Sequence, residues 1–341
     1  MPHLTMKAQL LSRMAPIESC PLEPAELPLP EPAPGDLRVQ VSVCGACHTE
    51  LDEIEGRLPP ALPIVPGHQV VGRVDRVGAG VVRHRVGDRV GVAWIHSACG
   101  TCTFCASGNE NLCPRARWTG KDVNGGYAEF LVVPDAFAYP LPERYTDAQA
   151  APLLCAGVIG YRALRLAGVQ SGDPVALYGF GASAHIVIQL LKHLHPRSPV
   201  FVLTRNADHQ RMAWRLGADW VGGPADIPPE SPARAIDFTP VGDTIRAALQ
   251  ILRPGGRLVI NAIRKRDPVP ELDYATHLWA EKELKSVANV TRRDVEEFLP
   301  LAAGIPIVPE VEESPLAEAN RVLARLKAGR VHGAAVLRVS P

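Results

Sequence analysis

Four of the chain's eight cysteines fall within fifteen residues: Cys99, Cys102, Cys105 and Cys113, spaced C-x2-C-x2-C-x7-C. Four thiolates on one short loop can close a tetrahedral zinc site with no open position. Such a site cross-links a segment that has little core of its own. An iron–sulfur cluster is the competing chemistry, because Cys113-Pro114 resembles the end of a ferredoxin run. The ferredoxin run C-x2-C-x2-C-x3-C is too short at its last gap, so the spacing predicts a structural zinc. A second set of metal-binding residue types is dispersed: Cys44-Gly45-Ala46-Cys47-His48-Thr49, then Gly67-His68-Gln69, then Leu154-Cys155-Ala156-Gly157. Taken singly, a C-x-x-C is also a redox pair, and a lone His or Cys is also a packing residue.

A third pattern suits a phosphate. Gly179-Phe180-Gly181-Ala182-Ser183-Ala184 fits G-x-G-x-x-G/A, follows the short apolar run Val175-Ala176-Leu177-Tyr178, and leads into a helical pattern from Ile186 to His193. The first Gly permits a tight turn, the second lets a pyrophosphate approach the backbone, and the third small residue lets helix and strand pack closely. The helix N-terminus then presents N–H groups to phosphate. The end of the next strand distinguishes the dinucleotides, since an acid there bonds the ribose 2′-hydroxyl of NAD. This chain reads Val202-Leu203-Thr204-Arg205-Asn206, with no acid. Thr204 and Arg205 can instead bind a 2′-phosphate, which predicts NADP(H) over NAD(H). Asn261 and Ala262, at the end of a later strand, complete the candidate cofactor contacts alongside Gly179, Gly181, Ala182 and Ser183.

Such residues need a scaffold, and three regions supply it. Residues 1–155 are rich in Val, Gly and Pro, with period-two alternation in Leu37–Val43 and strand-like runs at Gln69–Val77 and Asp88–Val92. Short strands with frequent turn signals predict a β-rich, barrel-like domain. The Pro-rich stretch Pro21–Pro34 is expected to be a surface loop. Residues 156–291 alternate strand and helix patterns (Val200–Thr204, Ala207–Leu216, Ala235–Phe238, Thr244–Leu252, Leu258–Asn261), which builds a parallel sheet covered on both faces. Residues 292–341 hold a helical pattern at Pro315–Lys327 and a final strand at Ala335–Val339. They are too few to fold alone and are expected to pack back on the first region.

The whole has 341 residues, the length of two domains. Lys+Arg and Asp+Glu are 36 each, so no general electrostatic grip on nucleic acid or anionic lipid is expected. There is no apolar run of about 18 residues, so no transmembrane helix is expected. The start, Met1 to Lys7, has no charged segment leading into an apolar core, so the expected location is the cytoplasm. In that reducing setting the cysteines are expected to bind metal or be buried.

Taken together and in this order, the Cys-His-Thr motif, Gly67-His68-Gln69, the four-Cys lobe within 94–118, Gly125-Gly126-Tyr127-Ala128-Glu129, the cysteine before the nucleotide region and the Gly motif resemble the zinc-containing medium-chain alcohol dehydrogenases. The resemblance covers nearly the full length. It implies a GroES-like catalytic domain from 1–155 and 292–341 and a Rossmann domain at 156–291. It assigns Cys47, His68 and Cys155 to a catalytic zinc, making two zinc ions per chain. It gives His48 a pyrophosphate contact and Thr49 the hydroxyl that bonds the substrate oxygen. Trp94 and Trp118 become pocket walls, and Cys44 and Cys20 are left without a role. The implied reaction is reversible hydride transfer between a small alcohol and its aldehyde or ketone, in a homodimer or homotetramer. Quinone or enoyl reductase activity in the same superfamily, and a catalytically silent zinc- and nucleotide-binding protein, are the alternatives. Four positions depart from the family pattern: Gln69 for Glu, Glu50 for the Asp that orients His68, Asp52 for a relay His, and Ala334 for a phosphate-binding Arg that Arg330 could replace.

Overall fold

The computed structural model describes residues 4–305 and 307–340, so Met1 to His3, at the head of the segment read for a leader, lie outside it. The chain forms two compact units. The first is Met1–Cys155, Val290–Ala303 and Val308–Pro341, and the second is Ala156–Asn289 with Gly304–Ile307. The chain thus re-enters the first unit at Val290, where the sequence placed the return at 292.

The first unit holds β1 (Thr5–Leu11), β2 (Leu22–Pro28), β3 (Asp36–Ala46), β4 (Gln69–Val77), β5 (Arg89–Val92), β6 (Ile95–Ser97), β7 (Arg117–Trp118), β8 (Phe130–Pro134) and β9 (Ala138–Pro140). Strand β3 is its spine. It pairs antiparallel with β4 and β8, and the alternating Leu37, Val39 and Val41 are fully buried in the core. Directly after β3 comes the helix α1 (His48–Ile54).

The Pro-rich stretch is corrected here: Leu22–Pro28 is strand β2, paired antiparallel with β1 along its whole length, with Pro24 opposite Gln9 and Pro28 opposite Thr5. β1 and β2 form a two-stranded sheet, so β2 has a free edge, and an edge strand tolerates residues that lack an N–H.

The second unit is a six-stranded sheet of β10 (Val175–Tyr178), β11 (Val200–Leu203), β12 (Trp220–Gly222), β13 (Arg234–Asp237), β14 (Arg257–Ile260) and β15 (Glu283–Ser286), in the order β12-β11-β10-β13-β14-β15. Every pair is parallel. This is the doubly wound order whose strand direction of travel reverses beside β10, where such sheets bind dinucleotides. The chain then returns to the first unit, where β16 (Val311–Pro315) and β17 (Ala334–Arg338) extend the main sheet through β17 against β3.

The stretch Asp147–Ala167 does have the length and apolar character of a membrane span, which differs from the sequence expectation. It is three elements, Asp147–Ala150, Ala151–Leu154 and Ala156–Ala167, and 61% of its apolar window is buried inside protein.

Candidate metal centres and cofactor site

The turn from β3 into α1 builds the first centre. Cys47 is the N-cap of α1: its Sγ accepts from Thr49 N at 3.3 Å, and its own N–H donates to Glu50 Oε2 at 2.8 Å. This capping box orients both side chains before any metal is considered. The other carboxylate oxygen, Glu50 Oε1, lies 2.5 Å from His68 Nδ1, and neither atom makes another hydrogen bond among the described residues. Glu50 is 0% exposed and His68 1%. His68 follows Gly67, whose φ of +98° and close packing under Tyr127 exclude a side chain there.

The result is a cluster that sequence spacing alone did not choose. Cys47 Sγ, a His68 ring nitrogen and Cys155 Sγ all lie within 4.8 Å of one another. Cys47 Sγ and His68 Nε2 are 3.8 Å apart. Two ligands on one tetrahedral zinc, with Zn–S about 2.3 Å and Zn–N about 2.0 Å, stand about 3.5 Å apart. The donor set therefore fits zinc in type and in spacing. Glu50 at Nδ1 leaves Nε2 to face the two thiols, the arrangement by which a carboxylate fixes a metal-binding tautomer.

The electrostatics are those of a pocket that wants a cation. The Cys155 thiol first, and burial second, push the Cys47 thiol well above its ordinary value. Burial opposes charge on His68, but the Glu50 carboxylate and Cys47 outweigh it and hold the imidazole well above its usual range. Burial likewise opposes charge on Glu50, and His68 and the Cys47 N–H reverse the sign. A bound divalent ion inverts this logic for the thiols, since a coordinating thiol is deprotonated outright.

The neighbouring residues fall as follows. Thr49 is buried on α1 and His48 is exposed at its first position. Asp52 is buried and accepts from Arg57 Nε at 2.6 Å, so the acid at the relay position is tethered to a guanidinium. Trp94 stands between the other two rings, 5.8 Å from His68 and 5.1 Å from Trp118, centroid to centroid. Cys44 is buried in β3 and is not among the clustered ligand atoms. Cys20 is exposed.

The four lobe cysteines also meet, with all ligand atoms within 4.8 Å. Cys99 and Cys105 sulfurs are 3.8 Å apart and Cys102 and Cys105 sulfurs 3.6 Å, against about 3.8 Å for two thiolates on one tetrahedral zinc. Backbone N–H groups of Thr101 and Cys102 bring the Cys99 thiol down to about 5. In the same cluster burial first, and the Cys102 thiol second, push Cys105 up to about 12, so a bound cation would be what deprotonates the lobe as a whole.

In the second unit the parallel register brings the cofactor candidates to one end of the sheet. Tyr178 lies beside Leu203 and beside Asp237, and Asp237 beside Ile260. Gly179, Thr204 and Asn261 therefore leave their strands at the same edge. Gly179 has φ +79°, and a Cβ there would sit 2.9 Å from Thr239 Cγ2. The helix Ala184–Leu194 begins at Ser183, which makes no side-chain cap to it; Ser183 Oγ donates to Ala156 O at 2.9 Å instead. Gly181 and Arg205 are exposed, while Ala182, Ser183, Asn261 and Ala262 are half-buried. No acid stands at the end of β11. Thr204 is buried, its carbonyl accepts from Gln210 Nε2, and Asn206 caps the next helix.

Residues 33–143 match the alcohol dehydrogenase GroES-like domain family. A protein described as probable alcohol dehydrogenase, from Mycobacterium tuberculosis, is 45% identical over 339 residues, which is 98% of this chain and 97% of that one. The chain belongs to the zinc-containing medium-chain alcohol dehydrogenase family. It is an oxidoreductase acting on the CH–OH group. Among solved structures, a cinnamyl alcohol dehydrogenase of Sorghum bicolor superposes with a TM-score of 0.88 at 28% identity over 98% of both chains. A putative zinc-binding dehydrogenase of Sinorhizobium meliloti bound to NADP superposes with a TM-score of 0.87 at 25% identity, over 98% of this chain and 99% of that one.

The dehydrogenase's departures from its family pattern have structural content. The side chain of Gln69 lies over Gly45, where a Cβ would sit 2.8 Å from its Oε1, and its Nε2 is buried with no hydrogen-bond partner among the described residues. Ala334 is buried at the start of β17, and Arg330 follows the helix Ala319–Lys327, donating its N–H to Arg325 O. Glu53, which the sequence reading missed, is a third buried acid on α1. The Trp94 indole N–H is the donor facing its carboxylate, at a geometry short of a full hydrogen bond. Burial first, and the Glu50 charge second, push its carboxyl well above the usual range. Its one sequence signal was the three-residue spacing from Glu50, which puts the two on one helix face.

Proposed function

We propose that the dehydrogenase uses one zinc held by Cys47, His68 and Cys155 and a second held by Cys99, Cys102, Cys105 and Cys113, prefers NADP(H), and interconverts small alcohols with aldehydes or ketones. The observation that carries this reading is the convergence of two thiols and an imidazole within 4.8 Å, with Glu50 at the far ring nitrogen. Three protein ligands leave a fourth tetrahedral position for substrate or water. When bound, the metal supplies Lewis-acid chemistry and the nicotinamide supplies hydride acceptance. The chain's own residues do the rest. Glu50 holds the His68 ring in place, the Thr49 hydroxyl accepts the substrate's hydroxyl proton as it passes its own onward, and Asp52, steadied by Arg57, or bulk water receives it. Trp94 and Trp118 wall the substrate, and His48 contacts the pyrophosphate. The four-cysteine lobe has no open position and is structural.

The NADP(H) preference is supported by the exposed Arg205 beyond β11 and the missing acid there, and by the NADP in the Sinorhizobium meliloti protein. Assembly as a homodimer or homotetramer is supported by the edge strand β15, whose four residues are all exposed, and by the exposed, edge-on ring pair of Tyr274 and Trp279 that precedes it in the chain. Eight free cysteines suit the reducing cytoplasm.

The test is metal analysis with an alcohol and carbonyl turnover screen, run with both cofactors. Two zinc ions per chain, and activity lost on chelation and regained with zinc, are expected. Activity that survives chelation overturns the catalytic-zinc reading. Arg205→Ala should lower kcat/KM for NADPH about tenfold or more, the worth of a charge-assisted bond, and barely change it for NADH. Equal changes with both cofactors overturn the NADP assignment.

A further inference from the structure

The cofactor end of the second unit carries a buried ion pair that the reaction as described does not use. Asp237, the last residue of β13, is 0% exposed. Its Oδ1 accepts from Thr239 N at 2.9 Å and Thr239 Oγ1 at 2.8 Å. Thr244 Oγ1 lies 2.9 Å from Oδ2, and Lys265 Nζ donates to the same oxygen. Lys265 Nζ also donates to Thr239 O at 2.7 Å. A carboxylate removed from water needs such partners, and the ammonium is the one that brings opposite charge.

The location gives the pair a purpose. Lys265 belongs to the connection between Ile260, the end of β14, and Tyr274, where the next helix starts. That connection has no helix or strand of its own, so its course is set by its ties. Asn261 N–H donates to Asp237 O at 2.8 Å, and Arg266 N–H donates to Pro240 O at 2.7 Å. Further along, the Pro268 carbonyl approaches Gly242 so closely that a Cβ there would sit 2.2 Å from it. Residues 261–268 therefore lie strapped along 237–242, outside the carboxyl ends of the strands, where open α/β sheets take their ligands. Thr239, bonded to both members of the pair, is also the residue packed against Gly179, the first glycine of the phosphate turn.

We propose that Lys265 is a positioning residue for the dinucleotide: through Asp237 it clamps the 261–268 strap, and with it Asn261 and Ala262, in the shape that the cofactor binds. The inference rests on the nicotinamide-cofactor reading. Releasing the strap lowers the fraction of molecules in binding shape, and the apparent dissociation constant rises by the inverse of that fraction. A strap in place one-tenth of the time binds about tenfold more weakly.

Lys265→Met alone leaves a buried, unpaired carboxylate and is liable to unfold the unit. The informative variant pairs it with Asp237→Asn, which removes both charges. Dissociation constants for NADPH and NADH are measured on the zinc-loaded enzyme by nicotinamide fluorescence, with amide hydrogen exchange of the strap in parallel. The expected result is an approximately tenfold weaker affinity. The cofactor KM should rise in parallel, kcat at saturating cofactor should change less than KM, and the strap amides should exchange faster while those of β10 and β11 do not. Unchanged affinity in the double variant, or a kcat loss with unchanged affinity, overturns the proposal. The wild-type protein gives a check that needs no variant: the Asn261 and Arg266 amides must be protected before any dinucleotide is added, and free exchange there overturns it too. If the wild type binds neither dinucleotide, the cofactor reading itself falls, and that outcome is distinct from equal binding by wild type and variant.

Discussion

Glu50 bears two demands at once, and shortening it should break one of them. Its Oε1 lies 2.5 Å from His68 Nδ1, and its Oε2 accepts the Cys47 N–H at 2.8 Å, with the side chain wholly buried. Glu50→Asp, which restores the residue usual in the family, removes one methylene, about 1.5 Å of reach. The carboxylate can then keep one contact while the other opens to about 4 Å, beyond hydrogen-bond range. The abandoned buried donor costs about 1–3 kcal/mol of stability. If His68 is the one released, the ring loses its orienting partner and zinc affinity falls about 10–100-fold. Zinc retention is read by elemental analysis during competition with a chelator, and stability by denaturant titration. The expected outcome is loss of the first zinc ahead of the second, because the Cys99–Cys113 lobe does not depend on Glu50. Glu50→Gln separates reach from charge: it keeps the length but removes the anion that holds His68 above its usual range. Wild-type zinc retention and wild-type stability in Glu50→Asp would refute the reasoning, because they would show that the α1 backbone moves to close a gap the capping box should hold open.

Two further outcomes follow from single positions. Gly67→Ala forces a left-handed backbone on a side chain whose Cβ would lie 2.4 Å from Tyr127 Cδ1. The conformational cost of about 1–2 kcal/mol and overpacking of about 1–3 kcal/mol should appear in denaturant titration, and the displaced His68 should lower zinc content; a loss under about 1 kcal/mol contradicts the geometry. Glu55 accepts from Lys327 Nζ at 2.7 Å, from the Ile17 N–H at 3.0 Å and from Arg57. Burial opposes its charge, but Lys327 and these other donors outweigh it and bring the carboxyl down to about 2. A depressed carboxyl favours the fold where it is ionised, so its contribution is complete above about pH 4.5 and is lost as pH falls toward about 2. With half-exposed cations as partners, roughly 1–2 kcal/mol is expected. Glu55→Gln should lower the melting temperature at pH 7 and by less than half as much at pH 3, where the carboxyl is still mostly ionised in the fold but already protonated in the unfolded chain; an equal shift at both contradicts the assignment.

What could be read from the residues alone was local. The four lobe cysteines lie on one loop, so spacing carried their chemistry. The glycine turn between a strand and a helix declared itself because all its parts are neighbours in the chain. The alternation of β3 and the strand–helix rhythm of the second unit were legible because burial has the period of the element. The Pro-rich stretch misled, because whether a proline-bearing segment pairs depends on its having a free edge, a property of the sheet and not of the segment. Cys47 and Cys155 are 108 residues apart (155 − 47) and became candidate ligands only through resemblance. Their approach to His68 is made by β3, β4 and the packing before Ala156. The tertiary structure alone decided that Glu50 has the reach to hold His68, that Asp52 is tied to Arg57, that Glu53 is buried against the Trp94 indole, and that Lys265 meets Asp237. Periodicity records which side of an element faces the core. The partner a buried charge finds there comes from another element, and that meeting exists only once the chain has folded.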